Sequence, residues 1–267
     1  MTVASGKQFP VGLKYAAIFE LNSNGRPAAT GTTAYEGVEV EGEKAFSLTI
    51  PDPRKIVHSG QDRVLAVDYL PATEAAEGEL RVSVEDQAVL ALITDVLSYS
   101  VGEAKFVPIG TDRQGEEPQV GMMLYQQALD AAGKQRHWRC FIIASARCIP
   151  IVAGMGENAE DTRFKVAPSP TTKTLWGETL DADTAGASEA TILIGMTKGR
   201  PKLVAFKANG SATDFSFPAS APARDVATIS VWKNGTLVSS GLTPAVDKIT
   251  FSVAPTSGDD IVVLYEL

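Results

Sequence analysis

Two histidines and two cysteines are the first residues to test for chemistry. His58 and His137 lie far apart, and Cys140 and Cys148 are eight positions from each other. A zinc centre needs about four ligands, or three and a water, and these spacings match no known ligand pattern. Asp181-Ala-Asp183-Thr-Ala185-Gly186 starts like a calcium loop, but Ala185 stands where an oxygen ligand is needed, and Ile192 stands where the bidentate acid is needed. Gly195-Met-Thr-Lys-Gly199-Arg200 has its glycines one residue too close for a phosphate loop and lacks the Lys-Ser/Thr pair. Gly154-Met-Gly156 lacks the third glycine of a dinucleotide fingerprint, and no Gly-x-Ser-x-Gly elbow occurs. Asn209-Gly-Ser211 and Asn234-Gly-Thr236 fit the glycosylation pattern but read as turns. These motifs point to no catalytic residue, no metal and no cofactor.

Two charged features survive this screen. Glu39, Glu41 and Glu43 alternate along one strand, opposite Val38 and Val40. Residues two apart share a strand face, so three carboxylates there repel one another and must meet water. The arrangement is either a solvated edge that discourages aggregation or an acidic wall facing something anionic that must not stick. The second feature runs from Lys44 to Arg63 and includes Phe46, Arg54, Lys55 and His58. Pro51 and Pro53 cannot donate to a ladder, so the segment reads as a basic excursion from the sheet. It is either a hairpin without a partner or an arm that docks on the acidic surface of a neighbouring copy.

The rest of the chain must position these features. Its 267 residues allow one large or two unequal domains. With 44% hydrophobic and 21% charged residues it has the composition of a folded protein. Lys plus Arg number 24 against 32 Asp plus Glu, a net charge of −8. That argues against a protein that wraps nucleic acid with a basic face. No apolar run reaches the ~18 residues of a membrane span. Residues 1–11 lack the apolar core of a signal peptide, so the expectation is a soluble protein made inside the cell, with no membrane partner.

Period-two alternation dominates, which predicts strands. They fall at Leu13–Leu21, at Val38–Glu41, around Phe46–Ile50, at Val64–Val67 and at Leu80–Val84. From Asp86 the period changes. Val89, Leu92, Ile93, Val96 and Leu97 mark one face of a helix, with Asp86 as N-cap and an end near Ser98–Gly102. Strands return at Met122–Leu129 and Trp138–Ile151, joined by a turn at Asp130–Lys134, then at Phe164–Val166, Thr191–Ile194 and Leu203–Phe206. A composition break near Asn209-Gly210 separates residues 1–209 from 210–267, a series of short strands. Within it, Asn234-Gly235 between apolar runs predicts a type I′ hairpin.

This order of elements resembles the major tail (tail tube) proteins of long-tailed bacteriophages. The likeness rests on the early strands, the basic proline-containing excursion, the single amphipathic helix and the Met122–Ile151 hairpin with Trp138. Phe215-Ser-Phe217-Pro218, Val231-Trp232-Lys-Asn234-Gly235, Ile249-Thr-Phe251 and Gly258-Asp259 resemble a small Ig-like module found at the ends of phage tail proteins, with Leu242-Thr-Pro244 in place of the usual aromatic. The resemblance implies a mainly β fold: two packed β-sheets flanked by one α-helix, with a small C-terminal β-sandwich. It implies a non-enzymatic virion protein, assembled in the host cytoplasm. Hexameric rings would stack into a hollow tube, with Lys44, Phe46, Arg54, Lys55, His58 and Arg63 on the inter-ring loop and Glu39, Glu41 and Glu43 on an acidic lumen. Further implied partners are tape measure, terminator and distal tail proteins, and DNA would pass without specific binding. The rival readings are a baseplate or capsid decoration protein, a carbohydrate-binding β-sandwich, and an enzyme with a dispersed site. On the tail tube reading, the chain without residues 210–267 still folds and assembles.

Overall fold

Strand alternation along the chain becomes a series of antiparallel ladders in a computed structural model. It describes residues 8–41, 43–49, 54–60, 63–70, 77–82, 87–94, 99–101, 104–106, 118–130, 136–151, 162–169, 171–180 and 192–267. The first strands are β1 (Gln8–Glu20), β2 (Val38–Glu41), β3 (Glu43–Thr49), β4 (Arg54–Gly60), β5 (Arg63–Leu70) and β6 (Glu77–Val82). The helix α1 (Gln87–Thr94) is followed by β7 (Tyr99–Val101), β8 (Ala104–Phe106), β9 (Gln119–Asp130), β10 (Arg136–Ile151), β11 (Thr162–Pro168) and β12 (Ile192–Thr197). The C-terminal strands are β13 (Pro201–Lys207), β14 (Asp214–Ser216), β15 (Ser230–Lys233), β16 (Thr236–Leu237), β17 (Leu242–Pro244), β18 (Lys248–Phe251) and β19 (Asp260–Glu266). Among the described residues the chain is mainly β, with several antiparallel sheets, one short α-helix and a 3-10 turn at Val226–Thr228.

The largest sheet runs β2-β1-β9-β10-β11-β6-β3, with β12 also on β10. β2 and β3 are separated by a single residue, yet they stand at opposite ends of that order. The chain therefore brings the two ends of that order together and the sheet curls into a barrel, with no ladder joining β2 to β3 among the described residues. Ala16 and Ile18 of β1, Met122 and Leu124 of β9, Ile143 and Cys148 of β10, and Phe164 and Val166 of β11 fill the interior. Val89, Leu90 and Ile93 of α1 join them.

The described part of the helix spans Gln87–Thr94, and β7 occupies part of the end expected at Ser98–Gly102. Asp86, Val96 and Leu97 lie outside the described residues, as do residues 131–134 of the predicted Asp130–Lys134 turn, Asp181–Gly186 and Gly154–Gly156. Leu92 was expected in the core and is only half-buried, whereas Ile93 is 1% exposed. Ile93→Ala is therefore the change that should cost about 2–5 kcal/mol in chemical denaturation, and Leu92→Ala should cost clearly less. Equal losses would show that both side chains are held alike.

The opposite faces of the same strands form a second core. Ala17, Phe19, Met123, Tyr125, Cys140 and Ile142 point out of the barrel and meet Leu203, Ala205, Trp232, Val262 and Leu264. Those five belong to the four-stranded sheet β13-β19-β15-β16. Its far face supplies Val204, Phe206, Val231, Ile261, Val263 and Tyr265 to a third core, against Phe215 of β14 and Ile249 and Phe251 of β18. Even and odd residues of β13 and β19 thus enter different cores, as period-two geometry requires of a strand buried on both faces.

One assignment made from the sequence changes here. The composition break places Leu203–Phe206 with residues 1–209, but β13 pairs along its length with β19, from Pro201↔Glu266 to Lys207↔Asp260. Its other edge is bridged by Tyr35, which exchanges two backbone hydrogen bonds with Ala205 at 2.8 and 2.9 Å. The predicted hairpin after β15 has positive φ at both central residues, 51° at Asn234 and 81° at Gly235, as a type I′ turn demands.

Candidate assembly surfaces

The basic excursion is built as an extension of the barrel wall. β3 pairs with β6 until Thr49↔Glu77, and a second ladder, β4 with β5, begins at Arg54↔Leu70. The interruption carries Pro51 and Pro53 on one side and Pro71 on the other, and proline cannot supply a ladder N–H. β4 and β5 form a two-stranded sheet of their own, with a register shift between His58 and Ser59. Arg54, Lys55 and His58 lie on β4 and Arg63 opens β5. Lys44 and Phe46 do not belong to this arm. Both sit on β3 in the barrel, where Phe46 pairs with Leu80 and packs half-buried against the interior cluster. An aromatic residue in an amphiphilic run satisfies a core position as readily as a contact position, and only the pairing separates the two.

The three glutamates are also divided. Glu39 and Glu41 pair with Ala17 and Tyr15 on β1, while Glu43 starts β3 and pairs with Val82 of β6. Glu39 does not face open water. The Lys202 ammonium reaches it at 2.5 Å and Glu36 at 2.6 Å, and Arg200 lies 3.4 Å from its other oxygen. Burial works to raise the Glu39 pKa, but Lys202 and Arg200 outweigh it and hold the carboxyl below its ordinary value. The Arg200 guanidinium also lies over the rings of Tyr15 and Tyr125, at 4.9 and 5.7 Å. Glu39 is thus a structural anchor for β13 and the turn before it. Repulsion among three carboxylates was the reason to expect water around all of them; two cations from more than 160 residues away remove that reason for Glu39.

A second ionic cluster fastens the other end of the same seam. Asp260, at the start of β19, accepts from Arg26 at 2.7 Å and from Lys207 at 2.6 Å. Arg26 also donates to the Asn234 carbonyl, and Asn234 accepts through its side chain from the Asp260 amide. The Arg26 and Asp260 side chains are only 11% and 7% exposed. Beside them, the backbone of Gly235 lies so close to Gly177 that a methyl group there would strike the Gly177 carbonyl. The Asn22–Pro27 turn and the Asn234-Gly235 turn were both legible as turns, but no local signal shows that they meet.

The remaining candidates stay apart. Cys140 faces the outer core and Cys148 the barrel interior, so the sheet separates the two thiols. Burial pushes both thiols up, Cys148 to about 12, which keeps them protonated and poor nucleophiles. His137 is buried on β10, with Nδ1 lacking a partner among the described residues. Comparison with protein-family models, curated proteins and solved structures finds no match for this chain.

Proposed function

We propose that this chain is a structural subunit that assembles with copies of itself, and that it is the tail tube protein of a long-tailed phage, forming stacked hexameric rings around a DNA channel. One observation carries the self-assembly reading. The β4–β5 arm leaves the barrel between two paired strands and is hydrogen-bonded to no other sheet among the described residues. An isolated two-stranded hairpin is marginal in water. This one carries Ile56, Val57, Val64, Leu65 and Val67 beside Arg54, Lys55 and Arg63, a composition that gains from docking on another subunit. The resemblance of element order supplies the finer identity, and with it the virion location, the other tail proteins as partners and the absence of a catalytic step.

Negative-stain images of the purified chain test the reading: rings or tubes are expected, and monodisperse small particles overturn it. The arm is tested separately. Single exposed ion pairs contribute only about 0.2–1 kcal/mol, but repetition around a ring multiplies them. Arg54→Glu with Lys55→Glu should stop tube growth while the circular dichroism of the subunit stays unchanged, and wild-type assembly should slow as salt rises. Tubes of normal length from the double variant would remove the arm from the stacking contact.

A further inference from the structure

The outside of the barrel is covered unevenly. The C-terminal sheet packs on β1, β9 and the first half of β10 through Phe19, Tyr125, Cys140 and Ile142. The second half of β10, with β11 and β6, has no comparable cover among the described residues. After the register shift between Ile143 and Ala146, β10 turns Ala146 and Cys148 inward, so Arg147, Ile149 and Ile151 point out. Arg163 and Lys165 of β11 and Arg81 of β6 share that outer face, opposite in parity to Phe164, Val166 and Leu80. Ile151 is 41% exposed.

Charge on this face is unbalanced. Arg163 stands directly across the ladder from Arg81, and like charges so placed cost stability. Glu79 answers Arg81 at 2.7 Å and Glu77 answers Lys165 at 2.9 Å. Arg163 has no acidic partner among the described residues, and its buried Nε has no acceptor there. The result is a basic and apolar patch on a chain whose net charge is −8.

A complementary patch exists on the C-terminal strands. The Ala223 amide donates to the Val246 carbonyl at 2.7 Å; Asp225 and Val226 follow two and three residues after Ala223, and Asp247 follows Val246. Asp225, Val226, Val246 and Asp247 are exposed, Val246 at 46%. Arg224 is the one base within this segment, while the neighbouring Lys248 is engaged by Asp214 at 2.7 Å.

We infer that the Arg163–Ile151 face of one copy receives the Val246–Asp247 segment of the next. The inference rests on the self-assembly reading and names a contact for it. Apolar contacts inside a polar rim are the ordinary anatomy of such a surface. Because the two patches differ, the contact is head-to-tail, and it closes into a ring or runs on as a filament according to its rotation.

The test uses the full chain. Arg163→Glu and Asp247→Arg, each alone, should weaken association by about tenfold or more in sedimentation, and the two together should restore part of it. Ile151→Cys with Val246→Cys should form a disulfide between copies under mild oxidation. Native Cys140 and Cys148 are buried and do not compete. The cysteine pair changes no charge, so it answers the question even if a charge variant misfolds. Unchanged association in both single variants, or assembled protein without the cross-link, overturns this contact and leaves the self-assembly reading standing. Wild-type chain that stays monomeric at every concentration overturns both.

Discussion

Removing residues 210–267 is expected to yield a chain that does not fold. The cut deletes β19 and with it every ladder partner of β13 on that side, from Pro201 to Lys207. It also removes Trp232, Val262 and Leu264 from the core they share with Phe19, Met123 and Tyr125. Each large apolar side chain taken out of such a core forfeits about 1.5–3 kcal/mol, and whole domains are stable by only about 5–15 kcal/mol. Val204 and Phe206 lose Phe215, Ile249 and Ile261 in the same step. Composition alone gave the opposite expectation, because the break at Asn209-Gly210 looks like a linker. The expected result is insoluble protein, or soluble protein without a cooperative thermal transition. A truncated chain that melts cooperatively would show that the barrel stands alone and the C-terminal strands are peripheral.

Asp260→Ala is expected to be the most damaging single substitution among the ionic residues, at about 3–5 kcal/mol, because it leaves the buried Arg26 and its neighbour Lys207 without their shared carboxylate. The same site predicts an acid response. Burial tends to raise the Asp260 pKa, but the hydrogen bonds and charges of Lys207 and Arg26 prevail and hold it below its ordinary value. Glu39 is depressed in the same way by Lys202 and Arg200. A group whose folded pKa is depressed contributes stability above its unfolded pKa, about 3.9 for aspartate. That contribution is lost as pH falls through the folded value. Denaturation midpoints of the wild type should therefore drop below about pH 4, and Asp260→Asn should show a lower midpoint at neutral pH with a shallower acid loss. Parallel pH profiles for wild type and Asp260→Asn would mean that Asp260 does not carry the acid sensitivity.

Local chemistry made much of the fold legible. Alternation located the longer strands, among them β1, β9, β10, β13 and β19, and the change of period at Val89–Ile93 located the helix, while the short strands β7, β8 and β17 left no such trace. The Asn234-Gly235 pair named its own turn, since few other residues accept positive φ at both positions. The arm was legible because prolines interrupt a strand wherever they fall.

The partner of each strand was not legible. Leu203-Val204-Ala205-Phe206 is apolar on both faces, and that pattern says only that two layers cover it. Whether the layers come from the first two hundred residues or the last sixty depends on contacts that leave no periodic trace. The same holds for Glu39, which looked like one rung of a repelling ladder until folding set Lys202 against it, and for Arg26, which met Asp260 across 234 positions. Period and turn chemistry are properties of neighbouring residues and can be read from the chain. Ion pairing, barrel closure and the joining of β13 to β19 depend on which surfaces meet, and only the tertiary structure decides that.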